Sequence, residues 1–105
     1  LRSVQTVGTA VRPLLREDDV LAEYRALASG LPFYSGRQPI IAWVPRETVF
    51  EEEEVKSRVI DAFEFLDIWN GPGRVFVVTR ARHLADLHGA RKLSEGGSYV
   101  LAVNR

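Results

Sequence analysis

The apolar positions of the chain switch between helical and strand spacing, with turn residues at each switch. Near the N-terminus, apolar residues recur at the three- and four-residue spacing of one helix face: Val4, Val7, Val11 and Leu14. Pro13 lies inside this pattern, so we expect the helix to end or bend there. Asp18 and Asp19 then predict a turn into a first strand over about residues 20–24.

A short helical turn and a second strand follow. Residues 29–35 are expected to form the turn, and Gly36 its terminator. The run Ile-Ile-Ala-Trp-Val then predicts a second strand over residues 40–44, which Pro45 closes.

The middle of the chain predicts a longer helix. Thr48 and Glu51 have the spacing of a capping box, and the acidic run 51–54 suits the first turn of a helix. The apolar stripe expected for this helix consists of Val55, Val59, Phe63 and Leu66, with Trp69 on its flank. The carboxylates Asp61, Glu64 and Asp67 lie mainly off this stripe, and we expect them to be solvated.

The C-terminal third predicts a buried strand and a hairpin. Residues 70–73 (Asn-Gly-Pro-Gly) break the helix, and the nearly continuous apolar run in 74–79 is typical of a strand covered on both faces. Residues 80–88 predict a short helix. Residues 91–105 predict a hairpin whose second strand is 99–103.

Strands that alternate with helices predict an α/β fold. We expect a three-layer α/β/α sandwich with a mostly parallel sheet of about four to five strands. Its C-terminal edge strand should be antiparallel. Right-handed crossovers would place helices on both faces.

Composition and charge narrow the functional classes. The chain has 105 residues, which predicts a single domain over 1–105, and 46% are hydrophobic. Fourteen basic residues balance 14 acidic ones, which argues against a nucleic-acid partner. Cysteine and methionine are absent. Without an initiating Met, we expect the chain to be a fragment of a larger protein, and it carries neither a signal peptide nor an apolar run long enough to span a membrane.

Common catalytic motifs are missing from the sequence. The single Gly30, followed by Pro32, does not form the glycine-rich turn of a dinucleotide site. His83 and His88 are five residues apart, whereas metal-binding pairs on helices are three or four apart. No Ser occurs in a nucleophile-elbow context. The sequence therefore offers no recognisable nucleophile, metal-ligand set or phosphate-binding loop.

Arginines and one tyrosine are the candidate ligand contacts. Arg25, Arg46 and Arg80 lie at or just past the ends of predicted strands, where open α/β sheets bind ligands. Arg37 and Tyr34 belong to the aromatic segment Leu-Pro-Phe-Tyr-Ser-Gly-Arg. Such groups could contact an anion, for example a lipid phosphate. Alternatively, the arginines pair with surface acids or carbonyls, and Phe33 and Tyr34 pack against the sheet or a helix.

Three segments in this order, residues 31–37, 73–78 and 99–105, resemble the C-terminal soluble domain of bacterial multi-pass membrane glycosyltransferases. That group includes the lipid A aminoarabinose transferases and relatives of the protein O-mannosyltransferases. The end of the predicted helix, Leu66-Asp67-Ile68-Trp69, also fits their pattern. The segment 46–54 departs from it, and only Glu47 and Phe50 stand in rough register.

The resemblance implies a parent enzyme that moves a sugar from a polyprenyl-phosphate carrier to an acceptor outside the cytoplasm. The catalytic acids of the family lie in the membrane module, so this chain would be an accessory domain without a catalytic residue or cofactor. Its partners would be the membrane module of its own parent and a lipid-linked sugar or acceptor at the periplasmic face. Two alternatives remain open, a stand-alone α/β module that binds a small ligand or a protein, and a small independent enzyme.

Overall fold

A computed structural model describes residues 2–43 and 58–105, with side chains from Val4 onward. Arg46, the predicted capping box and the start of the predicted middle helix lie outside the described residues. The helices are α1 (Arg2–Val11), α2 (Leu31–Ser35) and α3 (Ala62–Trp69), with 3₁₀ turns at Arg12–Leu14 and Ala81–Asp86. The strands are β1 (Val20–Tyr24), β2 (Ile40–Ala42), β3 (Val59–Ile60), β4 (Val75–Arg80), β5 (Arg91–Gly96) and β6 (Tyr99–Val103).

One six-stranded mixed sheet organises the fold, in the order β3-β2-β1-β4-β6-β5. Strands β3, β2, β1 and β4 are parallel to one another, and β6 is antiparallel to both β4 and β5. The predicted α/β class with a mostly parallel sheet is confirmed. The sheet has six strands where about four to five were expected. Its antiparallel edge strand is β5, and the C-terminal strand β6 lies between β5 and the central strand β4.

Two apolar clusters fill the layers on either side of the sheet. Along β4, Phe76 and Val78 face the helix α1, whereas Val75 and Val77 face α3. Helix α1 contributes Val4, Val7 and Val11 to the first cluster, as its spacing predicts. Helix α3 contributes Phe65 and Trp69 to the second. Because both faces of β4 are covered, its first four residues, 75–78, are all apolar.

Of the described part of the predicted middle helix, Ala62–Trp69 is confirmed as helical and residues 58–61 are not. Val59 lies in the strand β3, where it pairs with Ile41 of β2. Helix α3 begins only after Asp61, whose carboxylate accepts a hydrogen bond from Glu64 N at 2.8 Å and so caps the helix. This later start rotates the buried face, so that Phe65 is buried while Phe63 is 82% exposed.

Asn104, the residue after β6, ties the end of that strand to the start of β4 and to the end of α3. Its Oδ1 accepts a hydrogen bond from Val75 N, and its Nδ2 donates to Trp69 O and Gly73 O, all at 2.9 Å. The side chain thereby ties the end of α3 and the following turn to the start of β4. Along the described ranges, no helix combines the length and the apolar content that crossing a membrane requires.

Candidate functional site

Arg25 lies at the carboxyl end of β1, as the sequence predicts, and it is held by two partners. Its Nη1 is 3.2 Å from Asp86 Oδ2, and its guanidinium lies 4.1 Å from the ring centroid of Trp43. Tyr24 donates a hydrogen bond to the same Asp86 oxygen at 2.9 Å. Burial, and then the bond to Asp86, raise the pKa of Tyr24 to about 12, so the phenol stays protonated at neutral pH.

The two stacked residues at this edge both have left-handed backbones. The φ angles are 52° at Arg25 and 54° at Trp43, a region that side chains with a Cβ rarely adopt. The main chain keeps the sheet ladder in spite of this, because Arg25 N donates to Ala42 O and Trp43 N donates to Ile60 O. The left-handed turns therefore bring the guanidinium and the half-exposed indole together just beyond the strands.

Arg80 lies at the carboxyl end of β4, also as predicted, and contacts the hairpin. Its Nη1 donates to Ser98 Oγ, and its guanidinium lies 4.7 Å from the ring centroid of Tyr99. Close by, burial lowers the pKa of His83, and the charges of Arg25 and Arg82 lower it further. The imidazole is therefore neutral at neutral pH.

Arg37 lies at the opposite end of the strands, beside the amino end of β1. Its Nη1 donates to Asp19 O at 2.7 Å and its Nη2 to Arg16 O at 2.8 Å. These carbonyls belong to the turn that enters β1, so the guanidinium holds that turn against the end of α2. The prediction that Arg37 pairs with a carboxylate or with carbonyls is confirmed for carbonyls.

The two aromatics of the same segment behave differently. Tyr34 packs partly buried against α1, where Gly8 leaves the space for it. A Cβ built on Gly8 would lie 2.6 Å from Tyr34 Cβ. Phe33 is 77% exposed and touches Tyr34 edge to face, with the ring centroids 5.1 Å apart. Packing against the sheet or a helix is thus confirmed for Tyr34 and wrong for Phe33, because the single turn of α2 directs only one of two adjacent side chains inward.

The three candidate ligand contacts that the structure describes therefore do not form one site. Tyr34 and Arg37 lie with α2, Arg80 lies at the carboxyl edge, and Arg46 is outside the described residues. Their role as contacts to an anion or acceptor remains a prediction.

A cavity of about 270 Å³ lies on the α2 side of β1 and β2. Glu23, in the middle of β1, lines it and is only 4% exposed. Arg58, which directly precedes β3, is the second charged residue on its wall. The other residues that line the cavity are uncharged: Leu27, Ala28, Ser29, Gly30, Pro32, Pro39 and Ile41.

Both charged groups of the cavity are anchored to the main chain. Glu23 Oε1 accepts a hydrogen bond from Ala28 N at 3.0 Å, and Arg58 Nη1 donates to Pro39 O at 3.0 Å. Burial raises the pKa of Glu23 to about 7, although the bond from Ala28 and the charge of Arg58 oppose the change. Glu23 is therefore partly protonated at neutral pH, which is unusual for a carboxyl group and typical of functional sites.

The sequence analysis missed Glu23, although a signal was present. Alternation along β1 places Glu23 on the same face as Leu21, which belongs to the α1 cluster. A charged residue at a core-facing strand position requires an explanation. Among residues 2–43 and 58–105, no three acidic or histidine side chains are grouped closely enough to hold a metal ion.

Comparison with solved structures shows where this fold occurs. The chain is similar to part of ArnT, an aminoarabinose transferase, from Cupriavidus metallidurans. The TM-score is 0.75 with 18% identity for the apo crystal structure, and 0.71 with 16% identity for the structure bound to undecaprenyl phosphate. Each alignment covers 94% of this chain and 19% of ArnT, so the chain spans about a fifth of that protein.

The predicted resemblance to this group is thereby confirmed at the level of the fold. No protein-family model matches the sequence. No curated protein matches it either.

Proposed function

We propose that this chain is an accessory domain of a membrane glycosyltransferase that transfers a sugar from a polyprenyl-phosphate carrier to an extracytoplasmic acceptor. The observation that carries the proposal is the likeness to ArnT over 94% of the chain. One of the two ArnT structures is bound to undecaprenyl phosphate, a polyprenyl phosphate. The membrane module of the same parent protein would be the partner of this domain, at the periplasmic face.

The positions of the three family-like segments support this proposal. Residues 31–37 form α2 and its cap, residues 73–78 lead through β4, and residues 99–105 form β6 and the chain end. The last two contact each other directly, since Asn104 donates to Gly73 O, and Leu31 of the first segment lies in the same apolar cluster as Phe76 and Leu101. Residues that stabilise a fold are expected to recur in every enzyme that contains this domain, whatever acceptor the enzyme uses.

A non-catalytic role for the domain agrees with the state of the serine and threonine hydroxyls that are buried in residues 2–43 and 58–105. Ser35 Oγ donates to Arg37 O at 3.1 Å, and Thr79 Oγ1 donates to Tyr24 O at 2.7 Å. Each hydroxyl is committed to a main-chain carbonyl, whereas a nucleophile needs an adjacent general base. We place the chemistry in the rest of the parent protein.

Arg80 is the candidate contact whose position best suits this role. It is the last residue of the strand β4, at the carboxyl end, and ligands of open α/β sheets bind beyond these ends. Arg46 and Tyr34 remain candidate contacts to the acceptor or to the lipid-linked sugar. Arg37 is the least suited, because two carbonyls already hold its guanidinium.

A stand-alone binding module is the second candidate, and the cavity beside Glu23 is the observation that favours it. The length and hydropathy of the reading frame that encodes this chain distinguish the accessory domain from the stand-alone module. An accessory domain requires several apolar spans of roughly 20 residues elsewhere in the same frame. A frame without membrane spans would overturn the first proposal and favour the second.

A further inference from the structure

Two pairs of stacked arginine and aromatic side chains lie at the carboxyl edge of the sheet, where β1, β2 and β4 end. The Arg25 guanidinium lies 4.1 Å from the ring centroid of Trp43. The Arg80 guanidinium lies 4.7 Å from the ring centroid of Tyr99. The Tyr99 hydroxyl donates to Leu27 O at 3.3 Å, so the loop after β1 meets the hairpin at this edge. Trp43 is 47% exposed and Leu27 is 39% exposed, so apolar surface faces solvent beside both cations.

The same edge has an excess of positive charge. The charges of Arg25, Arg82 and Arg80 all lower the pKa of His83, so the three guanidinium groups lie around one imidazole. Among the described residues, Asp86 is the acidic group that acts on His83, and it is paired with Arg25 at 3.2 Å. Within residues 2–43 and 58–105, no carboxylate forms an ion pair with Arg80 or Arg82. These two arginines therefore leave the edge positive.

The two stacked arginines do not converge on one point. Trp43 contacts Tyr24, which belongs to the apolar cluster on the α3 side of the sheet. Tyr99 packs against the cluster on the α1 side. Arg25 and Arg80 are each stacked on one of these rings, so they lie on opposite sides of the sheet edge. A surface that offers a separate phosphate to each guanidinium matches this arrangement better than one small anion does.

We propose that the carboxyl edge docks on the anionic phospholipid surface around the parent protein, with its arginines at headgroup phosphates and with Trp43 and Leu27 in the interfacial layer. Guanidinium groups bind phosphate oxygens through paired N–H donors, and tryptophan is enriched at the level of the headgroups. The inference rests on the proposed membrane parent. Each arginine near an anionic surface contributes about fivefold in affinity, so the isolated domain binds weakly and the parent holds it close to the lipid.

The test is sedimentation of the 105-residue chain with phosphatidylcholine vesicles, either pure or containing about 30% phosphatidylglycerol. We expect half of the chain to bind the anionic vesicles at a lipid concentration on the order of millimolar, and binding to the neutral vesicles to be at least about tenfold weaker. Raising NaCl from roughly 0.05 M to 0.5 M should release the chain, because salt screens the attraction between exposed charges. Equal binding to both kinds of vesicle would overturn the proposal.

Trp43 reports which surface of the domain meets the bilayer. Trp69, the other tryptophan, is 1% exposed and should not respond. On anionic vesicles the emission of Trp43 should shift to shorter wavelength and be quenched by brominated lipid, and Trp43→Phe should remove both effects. Binding without either change would mean that another face contacts the lipid, which would overturn the proposal.

Matched charge variants localise the contact. Arg82→Gln, at an exposed position, should weaken binding to the anionic vesicles about fivefold, and the double variant with Arg80→Gln about 25-fold. Arg91→Gln removes the same charge at the opposite end of the sheet, where Arg91 is aligned with Val103, and should change binding less than about twofold. Equal losses for Arg82→Gln and Arg91→Gln would show attraction by net charge alone and overturn the proposal.

Two other occupants of the edge would give different results. If inorganic phosphate binds saturably and displaces the chain from anionic vesicles more than NaCl of equal ionic strength does, the edge is a site for a small anion and the proposal is wrong. If neither kind of vesicle binds the chain, lipid docking is wrong, and a protein surface becomes the occupant. Sugar transfer by the parent protein is a separate measurement, so failure of the vesicle test leaves the proposed function standing.

Discussion

Replacing Glu23 with Gln changes how the stability of the domain depends on pH. Burial raises the pKa of Glu23 from its ordinary value of 4.5 to about 7 in the folded chain. The folded state therefore holds a proton that the unfolded state has already released. Stability from this group is fully present below pH 4.5, and it is lost as the pH rises through 7.

The magnitude follows from the two pKa values. Each pKa unit corresponds to about 1.4 kcal/mol, so ionising the buried carboxyl costs the folded state about 3 kcal/mol relative to the unfolded chain. Glu23→Gln cannot ionise and avoids this loss. The free energy of unfolding of the variant, minus that of the wild type, should therefore increase by about 3 kcal/mol between about pH 4.5 and pH 8.

Urea unfolding followed by tryptophan fluorescence measures this difference, because Trp69 is buried in the folded chain. Contributions from other carboxylates, such as the salt-bridged Asp19, cancel in the subtraction. Glu95→Gln, at an exposed position, is the matched control and should track the wild type at every pH. Parallel curves for the wild type and Glu23→Gln would refute the account of Glu23 as a desolvated carboxyl.

Two further substitutions test the packing of the family-like segments. Asn104→Ala removes three hydrogen bonds and should lower the free energy of unfolding by about 3 kcal/mol in urea; Asn70→Ala, an exposed amide, is its control, and equal effects would refute the role given to Asn104. Tyr34→Ala should destabilise by about 2 kcal/mol and lower the Tm, whereas Phe33→Ala should cost less than about 0.5 kcal/mol. A larger effect at Phe33 than at Tyr34 would contradict the observed packing.

The elements that sequence patterns predicted well are those with local signals. The spacing of valines fixes α1, and the helix ends at Val11 just before Pro13. Gly36 is left-handed with a φ of 73° and ends α2, as its position predicts. In each case one short stretch of chain contains the information, so no knowledge of distant contacts is needed.

The elements that were missed depend on distant partners. Val59 fits a helical stripe as well as a strand. It becomes part of a strand because it pairs with Ile41 of β2, a residue 18 positions earlier in the chain. Phe65 is buried in place of Phe63 because the helix starts after Asp61.

The candidate site was less predictable for the same reason. That Arg25 and Arg80 follow strands could be seen in the sequence, but their partners Asp86 and Ser98 come from remote turns. The cavity at Glu23 is formed by α2, β2 and Arg58, which only the folded sheet brings together.

The central proposal is that this chain supports sugar transfer without performing it. The direct measurement compares transfer from a radiolabelled polyprenyl-phosphate sugar by the full-length parent protein in proteoliposomes with transfer by the isolated 105-residue chain. We predict transfer by the parent and none by the isolated chain. Turnover by the isolated chain, or a parent that transfers no sugar from such a carrier, would contradict the account.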